Sequence, residues 1–248
     1  MENFELEPFL ARSRALDLAG IDFATIRTSP LPPGAIRTLR YMQDIESYTI
    51  VYLKSLLATR AIDDSEVATF LPCWLYEETF HGRALAKLLD AAGIEVTPRA
   101  FSQHSVSERI EMTATALVAR AWPDFVAVHM TWGAINELTT LTGYRRLAEI
   151  TGHPVLEELL ARIMRDEARH FSFYYHQAER RLARPAAARV TRFLVDHFWA
   201  PVGSGVQPKE ETRFLARYLF GGADGRAAAR QIDERIRRLP GFSDVQLV

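Results

Sequence analysis

The amino-acid sequence predicts an all-α protein: a four-helix bundle with one long crossover and additional flanking and C-terminal helices. Three observations predict it. β-Branched residues are scattered and no segment alternates cleanly with period two, so strand signals are absent. Apolar residues recur at spacings of three and four between Pro and Gly breakers. Glu residues sit on four of these apolar stripes, at separations that pair the helices into two hairpins.

The elements follow in order. A short helix is expected over Phe4 to Ala19, ahead of the breaker Ser29-Pro30-Leu31-Pro32-Pro33-Gly34. The first long helix runs from about Ala35 to Ala61. Asp63-Asp64-Ser65 caps the second, which reaches about Ala92 and stops at Gly93. After a loop with Pro98, a connecting helix covers about Ser107 to Ala121. The third long helix runs from about Pro123 to Ile150 and stops at Gly152. Pro154 opens the fourth, which reaches about Ala183 before Pro185. About three shorter helices follow, broken at Pro201 to Pro208 and at Gly221-Gly222. Without a repeat, low-complexity tract or linker, residues 1–248 read as one domain. The bundle core lies at about 35–184 and the accessory C-terminal helices at about 185–240.

Composition narrows the classes. With 248 residues and 48% apolar content, the chain can bury a sizeable core. No long uncharged apolar run supports a membrane span, and the acidic start Met1-Glu2-Asn3-Phe4-Glu5 does not read as a signal peptide. The single Cys73 excludes internal disulfides and a Cys-rich metal site, and points to a reduced cytoplasmic setting. A net charge of -1 gives no global reason to expect nucleic acid as a partner.

Glu-x-x-His occurs twice, as Glu78-Thr79-Phe80-His81 and as Glu167-Ala168-Arg169-His170. Residues three apart share a helix face, so each word offers a carboxylate and an imidazole side by side. Glu46 shares the apolar face of the first long helix with Met42, Thr49, Ile50 and Leu53. Glu137 shares that of the third with Met130, Gly133, Thr140, Leu141 and Tyr144. A carboxylate on such a stripe is expensive to bury without a metal or a proton. The separations Glu46 to Glu78 (32) and Glu137 to Glu167 (30) suit two antiparallel hairpins, and Glu78 to Glu137 (59) leaves room for a crossover. Glu46, Glu78, His81, Glu137, Glu167 and His170 are the candidate metal ligands. Met42, Ile50, Met130, Leu141, Ile163 and Tyr174 either line a pocket or form plain bundle core. Gly133 either leaves room for a substrate or allows close packing.

These residues resemble the ferritin-like di-iron carboxylate proteins. Glu77-Glu78-Thr79-Phe80-His81-Gly82, Asp166-Glu167-Ala168-Arg169-His170 and Gly152-His153-Pro154-Val155-Leu156-Glu157 look most like the soluble acyl-carrier-protein desaturases. The resemblance covers roughly Ile36 to Arg181; Thr79-Phe80 departs from the polar residues common there. It implies that Asp166 holds His81, that Glu77 holds His170, and that Thr140 serves oxygen activation. The other reading of Asp166 and Glu77 is a pair of solvated surface acids, and that of Thr140 a hydroxyl bonded back to a helix carbonyl. Carboxylate and imidazole donors without thiolate suit two Fe ions, with Mn as the alternative. The resemblance further implies O₂-dependent attack on an unactivated C–H bond of an aliphatic acyl chain, by desaturation or oxygenation. It implies a ferredoxin-type electron donor, an acyl carrier protein or aliphatic small-molecule substrate, and a homodimer. Arg180, Arg181, Arg184, Arg189 and Arg192 either dock an acidic carrier or are solvent-facing helix ends. Bacterioferritin-like iron oxidation and storage, and rubrerythrin-like peroxide scavenging, are the alternatives. His104, His129, His153, His176 and His197 read as surface or capping residues. Cys73 reads as a small buried apolar residue, and Trp74, Trp122, Trp132 and Trp199 as packing.

Overall fold

The computed structural model describes residues 4–96, 122, 124–204 and 207–247, and every regular element among them is helical. Two short helices, α1 (Leu6–Arg12) and α2 (Thr25–Thr28), precede four long ones. These are α3 (Pro33–Leu57), α4 (Ser65–Ala91), α5 (Phe125–Thr151) and α6 (Pro154–Leu182). Then come α7 (Pro185–Phe198), α8 (Lys209–Phe220) and α9 (Gly222–Ile236), with breaks where the tail was expected to break. The connecting helix expected over Ser107 to Ala121, and His104 with it, lie outside the described residues.

Local chemistry sets the boundaries. Asp64 Oδ1 accepts from the Glu66 and Val67 N–H groups at 3.0 and 3.2 Å and so caps α4, which is worth about 1 kcal/mol. The α3 helix ends at Leu57, short of the expected Ala61, because Thr59 takes over the backbone. Its hydroxyl donates to the Leu56 carbonyl at 2.7 Å and accepts from the Ala61 N–H at 3.2 Å. A 3₁₀ turn, Arg60–Asp63, follows. Gly152, in the left-handed region at φ 60°, closes α5 and donates to the Ala148 carbonyl at 2.8 Å. Pro154 opens α6, while His153 is buried with Nε2 2.8 Å from the Ser29 carbonyl. Pro72 lies inside α4 and removes one helical donor.

The expected Phe4 to Ala19 helix is corrected: only Leu6–Arg12 is helical. Beyond it the chain extends across the bundle. Ser13 Oγ donates to Glu77 Oε1 at 3.0 Å, and the Asp17 carbonyl accepts from Arg162 at 2.7 Å.

The four long helices form the ferritin-like bundle. Helix α3 packs on α4 and α5, and α6 packs on α5 and α4, so each helix has two bundle neighbours. Helix α7 covers α5 and α6, α8 lies on α3 and α5, and α9 lies on α5 and α8. The interior divides into two apolar clusters. One holds Leu53, Leu56, Phe70, Trp74, Met130, Phe173 and Tyr174. The other holds Leu39, Met42, Leu85, Leu88, Tyr144, Leu160 and Ile163. On every long helix the candidate ligands fall between residues of the first cluster and residues of the second. Burying each such large apolar side chain contributes roughly 1.5–3 kcal/mol, and this supports the cost of a polar layer between them. No helix of the described residues is long and apolar enough to cross a membrane.

Candidate metal centre

The polar layer brings all six candidate ligands together. Glu46 comes from α3, Glu78 and His81 from α4, Glu137 from α5, and Glu167 and His170 from α6. Each keeps at most 7% of its surface exposed. Their ligand atoms form two overlapping groups, each within 4.8 Å: Glu46, Glu78, His81 and Glu167, then Glu78, Glu137, Glu167 and His170. Glu78 and Glu167 belong to both. Each hairpin contributes one shared carboxylate because its Glu-x-x-His word puts Glu and His on one face.

The orphaned atoms test whether a cation fits. His170 Nδ1 lies 2.9 Å from Glu78 Oε1, and His81 Nδ1 lies 3.2 Å from Glu167 Oε1. All four atoms are buried, yet none makes a hydrogen bond. Buried polar atoms converging without bonding one another are costly unless a third atom serves them. Carboxylate oxygens and imidazole nitrogens are suitable donors for a first-row divalent metal, and the residues fit one in each group.

The far side of each imidazole is tied down. His81 Nε2 lies 3.2 Å from Asp166 Oδ2, and His170 Nε2 lies 2.7 Å from Glu77 Oε2. With Nε2–H donating to a carboxylate, Nδ1 is left facing the cluster. Arg169 Nη2 donates to both carboxylates, Glu77 Oε1 at 2.8 Å and Asp166 Oδ1 at 2.5 Å. Inside, Trp74 Nε1 donates to Glu137 Oε1 at 3.1 Å, and the Tyr144 hydroxyl donates to Glu46.

Charge balance follows from this crowding. Burial pushes the Glu46 and Glu137 carboxyls well above the usual carboxylate range. The Glu78 charge reinforces this for Glu46, and Glu167 and Glu78 reinforce it for Glu137. For Glu78, burial is outweighed by contacts with Glu46, His170 and His81, which hold it well below that range. For His81 and His170, burial disfavours the charge, but Asp166, Glu167 and Glu78 around the first outweigh it. Glu137, Glu77 and Glu78 do the same around the second, and both imidazoles are held well above their ordinary value. Glu46, Glu137, His81 and His170 are thus four places for protons. Two divalent cations bring the same four positive charges.

Two cavities adjoin the cluster. A larger one, about 540 Å³, is bordered by Glu46, Glu78, Glu137 and Glu167 together with Tyr52, Trp74, Trp132, Gly133 and Tyr174. Its outer wall is the segment Phe198 to Ser204. Trp199 Nε1 donates to Asn136 Oδ1 at 3.1 Å, and Tyr41 donates to the Val202 carbonyl at 2.6 Å, which fixes that segment in place. A smaller apolar cavity, about 90 Å³, lies between Met42, Gly143, Leu215 and Leu219. Glu46 and Thr140 border both.

The pocket candidates divide. Met42, Gly133 and Tyr174 line these cavities. Ile50 is corrected: it is 46% exposed on the outside of α3. Met130 and Ile163 are fully buried in the two apolar clusters, and Leu141 is buried; none of the three borders either cavity. Gly133 also faces the Tyr174 ring so closely that a Cβ there meets Tyr174 Cδ1 at 2.3 Å, so it both borders the cavity and allows close packing. Thr140 Oγ1 has no hydrogen-bond partner among the described residues, whereas Thr139 and Thr142 bond back to helix carbonyls. Of the five arginines, Arg180 pairs with Glu66, Arg181 with Asp64, Arg184 with Asp124, and Arg192 with Asp196 and Asp244. Four of the five are thus paired within the chain, and Arg189 has no ion pair among the described residues. His129 is also corrected: its Nε2 is buried without a partner, and burial lowers its pKa to about 4.

Spacing did not disclose Arg169, Trp74, Tyr144 or Ser13 as partners of the site. Trp74 stands one turn before Glu78 and Tyr144 two turns after Glu137, so each was legible on a ligand-bearing face. Their bonds cross between helices, and a single helix's period carries no such information.

Residues 47–194, more than half of the chain, match a family model described as fatty acid desaturase. The match starts one residue after Glu46 and spans the other five candidate ligands. No curated protein and no solved structure matches the chain.

Proposed function

The chain belongs to the fatty acid desaturase family, and from that premise we propose that it is a di-iron oxidoreductase using O₂ to oxidise an aliphatic acyl chain, as a desaturase or a closely related oxygenase. The observation that carries this reading is the pair of overlapping ligand groups sharing Glu78 and Glu167 beside a cavity. Glu46, Glu78, His81 and Glu167 would hold one ion, and Glu78, Glu137, Glu167 and His170 the other. Iron bound there supplies the electrons and Lewis acidity for O₂ chemistry at an unactivated C–H bond. Manganese is the alternative ion for the same donor set.

The chain's own residues do the rest. Asp166 and Glu77 keep a proton on each Nε2, so that Nδ1 is free to ligate. Tyr144 and Trp74 hold Glu46 and Glu137 in orientation by occupying one oxygen of each. Trp132, Trp74 and the Phe198 to Ser204 segment wall the cavity in which the aliphatic chain would lie. Thr140 offers an uncommitted hydroxyl proton at the junction of the two cavities. A ferredoxin-type protein supplies electrons, the substrate is carrier-linked or a free aliphatic molecule, and the working form is a homodimer.

Anaerobic loading with Fe(II) is expected to give about two ions per chain; far fewer removes the proposal. The reduced protein, given O₂ with carrier thioesters, free acids and aldehydes, is then read by mass. Loss of two mass units identifies a desaturase, and gain of sixteen an oxygenase. No change on any substrate favours iron oxidation or peroxide handling, which gel filtration divides into a many-subunit shell or a dimer.

A further inference from the structure

Two phenols beside the candidate metal ligands have nothing in the chain to bind. Tyr52 Oη and Tyr174 Oη are both buried and both lack a hydrogen-bond partner. Tyr174 is fully buried; the Tyr52 ring is partly exposed, but its oxygen is closed off. Both rings stand edge-on to Trp74, with centroids 5.7 and 6.1 Å away, and both border the larger cavity next to Glu137. Other phenols nearby are satisfied, Tyr144 by Glu46 and Tyr41 by the Val202 carbonyl. A buried hydroxyl without a partner is costly, and a phenol at neutral pH is first of all a donor.

The charges around the cavity narrow what the phenols meet. Among the described residues no Lys, Arg or His lines it. Glu46, Glu78, Glu137 and Glu167 line it instead, so the cavity offers no positive side chain to hold an anion. The adjoining small cavity is apolar at Met42, Gly143 and Leu219, which suits the hydrocarbon end of a chain.

We propose that the substrate is an aliphatic chain carrying an uncharged oxygen, a hydroxyl or carbonyl, which accepts hydrogen bonds from Tyr52 and Tyr174 while its apolar end points toward Met42 and Leu219. This rests on the oxidase reading above, since it specifies the substrate of that site.

The test uses the metal-free full chain and its tryptophan emission, because Trp74 and Trp132 line the cavity. Hexan-1-ol, hexan-2-one, hexanoate and hexane are titrated into wild type and into the double variant Tyr52→Phe, Tyr174→Phe. The double variant is expected to bind the alcohol and the ketone at least about fivefold more weakly and hexane no more weakly. Hexanoate is expected to be the weakest ligand of wild type. Unchanged alcohol and ketone binding, equal loss of hexane, tightest binding of hexanoate, or no binding of any probe each overturns the proposal. The single variants carry the same test if the double variant does not fold. Fe(II) loading is counted separately. Loss of the phenol effect with about two irons bound sinks only the substrate assignment. A persisting phenol effect without iron sinks only the oxidase reading.

Discussion

Arg169 donates from Nη2 to Glu77 Oε1 at 2.8 Å, and through the same nitrogen it reaches Asp166. One guanidinium therefore steadies both carboxylates that orient the two imidazoles. It is partly buried, with 22% of its side chain exposed, and lies over the Phe9 ring at 5.2 Å. Arg169→Gln is expected to weaken Co(II) binding by roughly 10–100-fold, followed by visible absorption. Unchanged affinity with a lowered melting temperature would show that Arg169 serves the fold alone.

The shared carboxylates should behave differently from the outer ones. Glu78→Ala or Glu167→Ala removes a ligand from both groups and is expected to leave well below one ion per chain. Glu46→Ala or Glu137→Ala removes a ligand from one group and is expected to leave about one. Anaerobic Fe(II) titration with metal analysis gives the counts. Equal losses across all four variants would show that the groups do not overlap as ligand sets.

Metal binding must displace protons. Glu46, Glu137, His81 and His170 all have folded-state pKa values raised above their ordinary ones. Loading should therefore release protons, up to one from each of these groups, and apparent affinity should fall as pH falls. The same shifts set the stability of the metal-free protein. A raised folded-state value contributes stability that is fully present below the unfolded value and is lost as pH rises through the folded one. The contribution from the two carboxyls declines from about 4.5 upward and that from the imidazoles from about 6.5 upward. Glu78, Glu77 and Asp166, whose values are lowered, oppose this at the acid end. Calorimetry should show the metal-free protein losing melting temperature above pH 6.5, and the loaded protein losing less. A metal-free protein that gains stability over that range contradicts the assignment.

Gly133 and Tyr174 form one packing unit. In Gly133→Ala the new Cβ sits 2.3 Å from Tyr174 Cδ1. The fully buried ring cannot swing freely, so a loss of roughly 1–3 kcal/mol is expected in urea unfolding. Adding Tyr174→Phe, which keeps the ring, should not restore that loss. Restoration by Tyr174→Phe would mean the hydroxyl, not the ring, causes the clash.

The convergence of the six candidate residues was legible because a Glu on an apolar stripe announces a partner, and the hairpin separations because a helix rises by a fixed amount per residue. Ile50 departs from the face that period assigns it by an angle. On α3 it lies about 40° to one side of Glu46, while Thr49 lies about 60° to the other. The cavity opens on the Thr49 side, where Ile45 and Tyr52 also stand. Leu141 has the same offset from Glu137, with Thr140 on the cavity side. Period alone places both flanks on one face; only the rotation of each helix against its neighbours decides between them. The irregular run from Ser13 to Ala19 was missed because its reason to be extended, the bond from Ser13 to Glu77, lies 64 residues away.

The plane of candidate ligands across the bundle has a consequence for how the protein comes apart. Above and below it, each apolar cluster recruits its own outer helices, α1, α7 and α9 on one side and α2 and α8 on the other. With ions in place, all four long helices would be tied at that plane and the two halves are expected to open together. With only protons there, each half is left to its own cooperativity. Amide exchange along α3 to α6 should then change from one common opening free energy to two, split near Glu46, Glu78, Glu137 and Glu167.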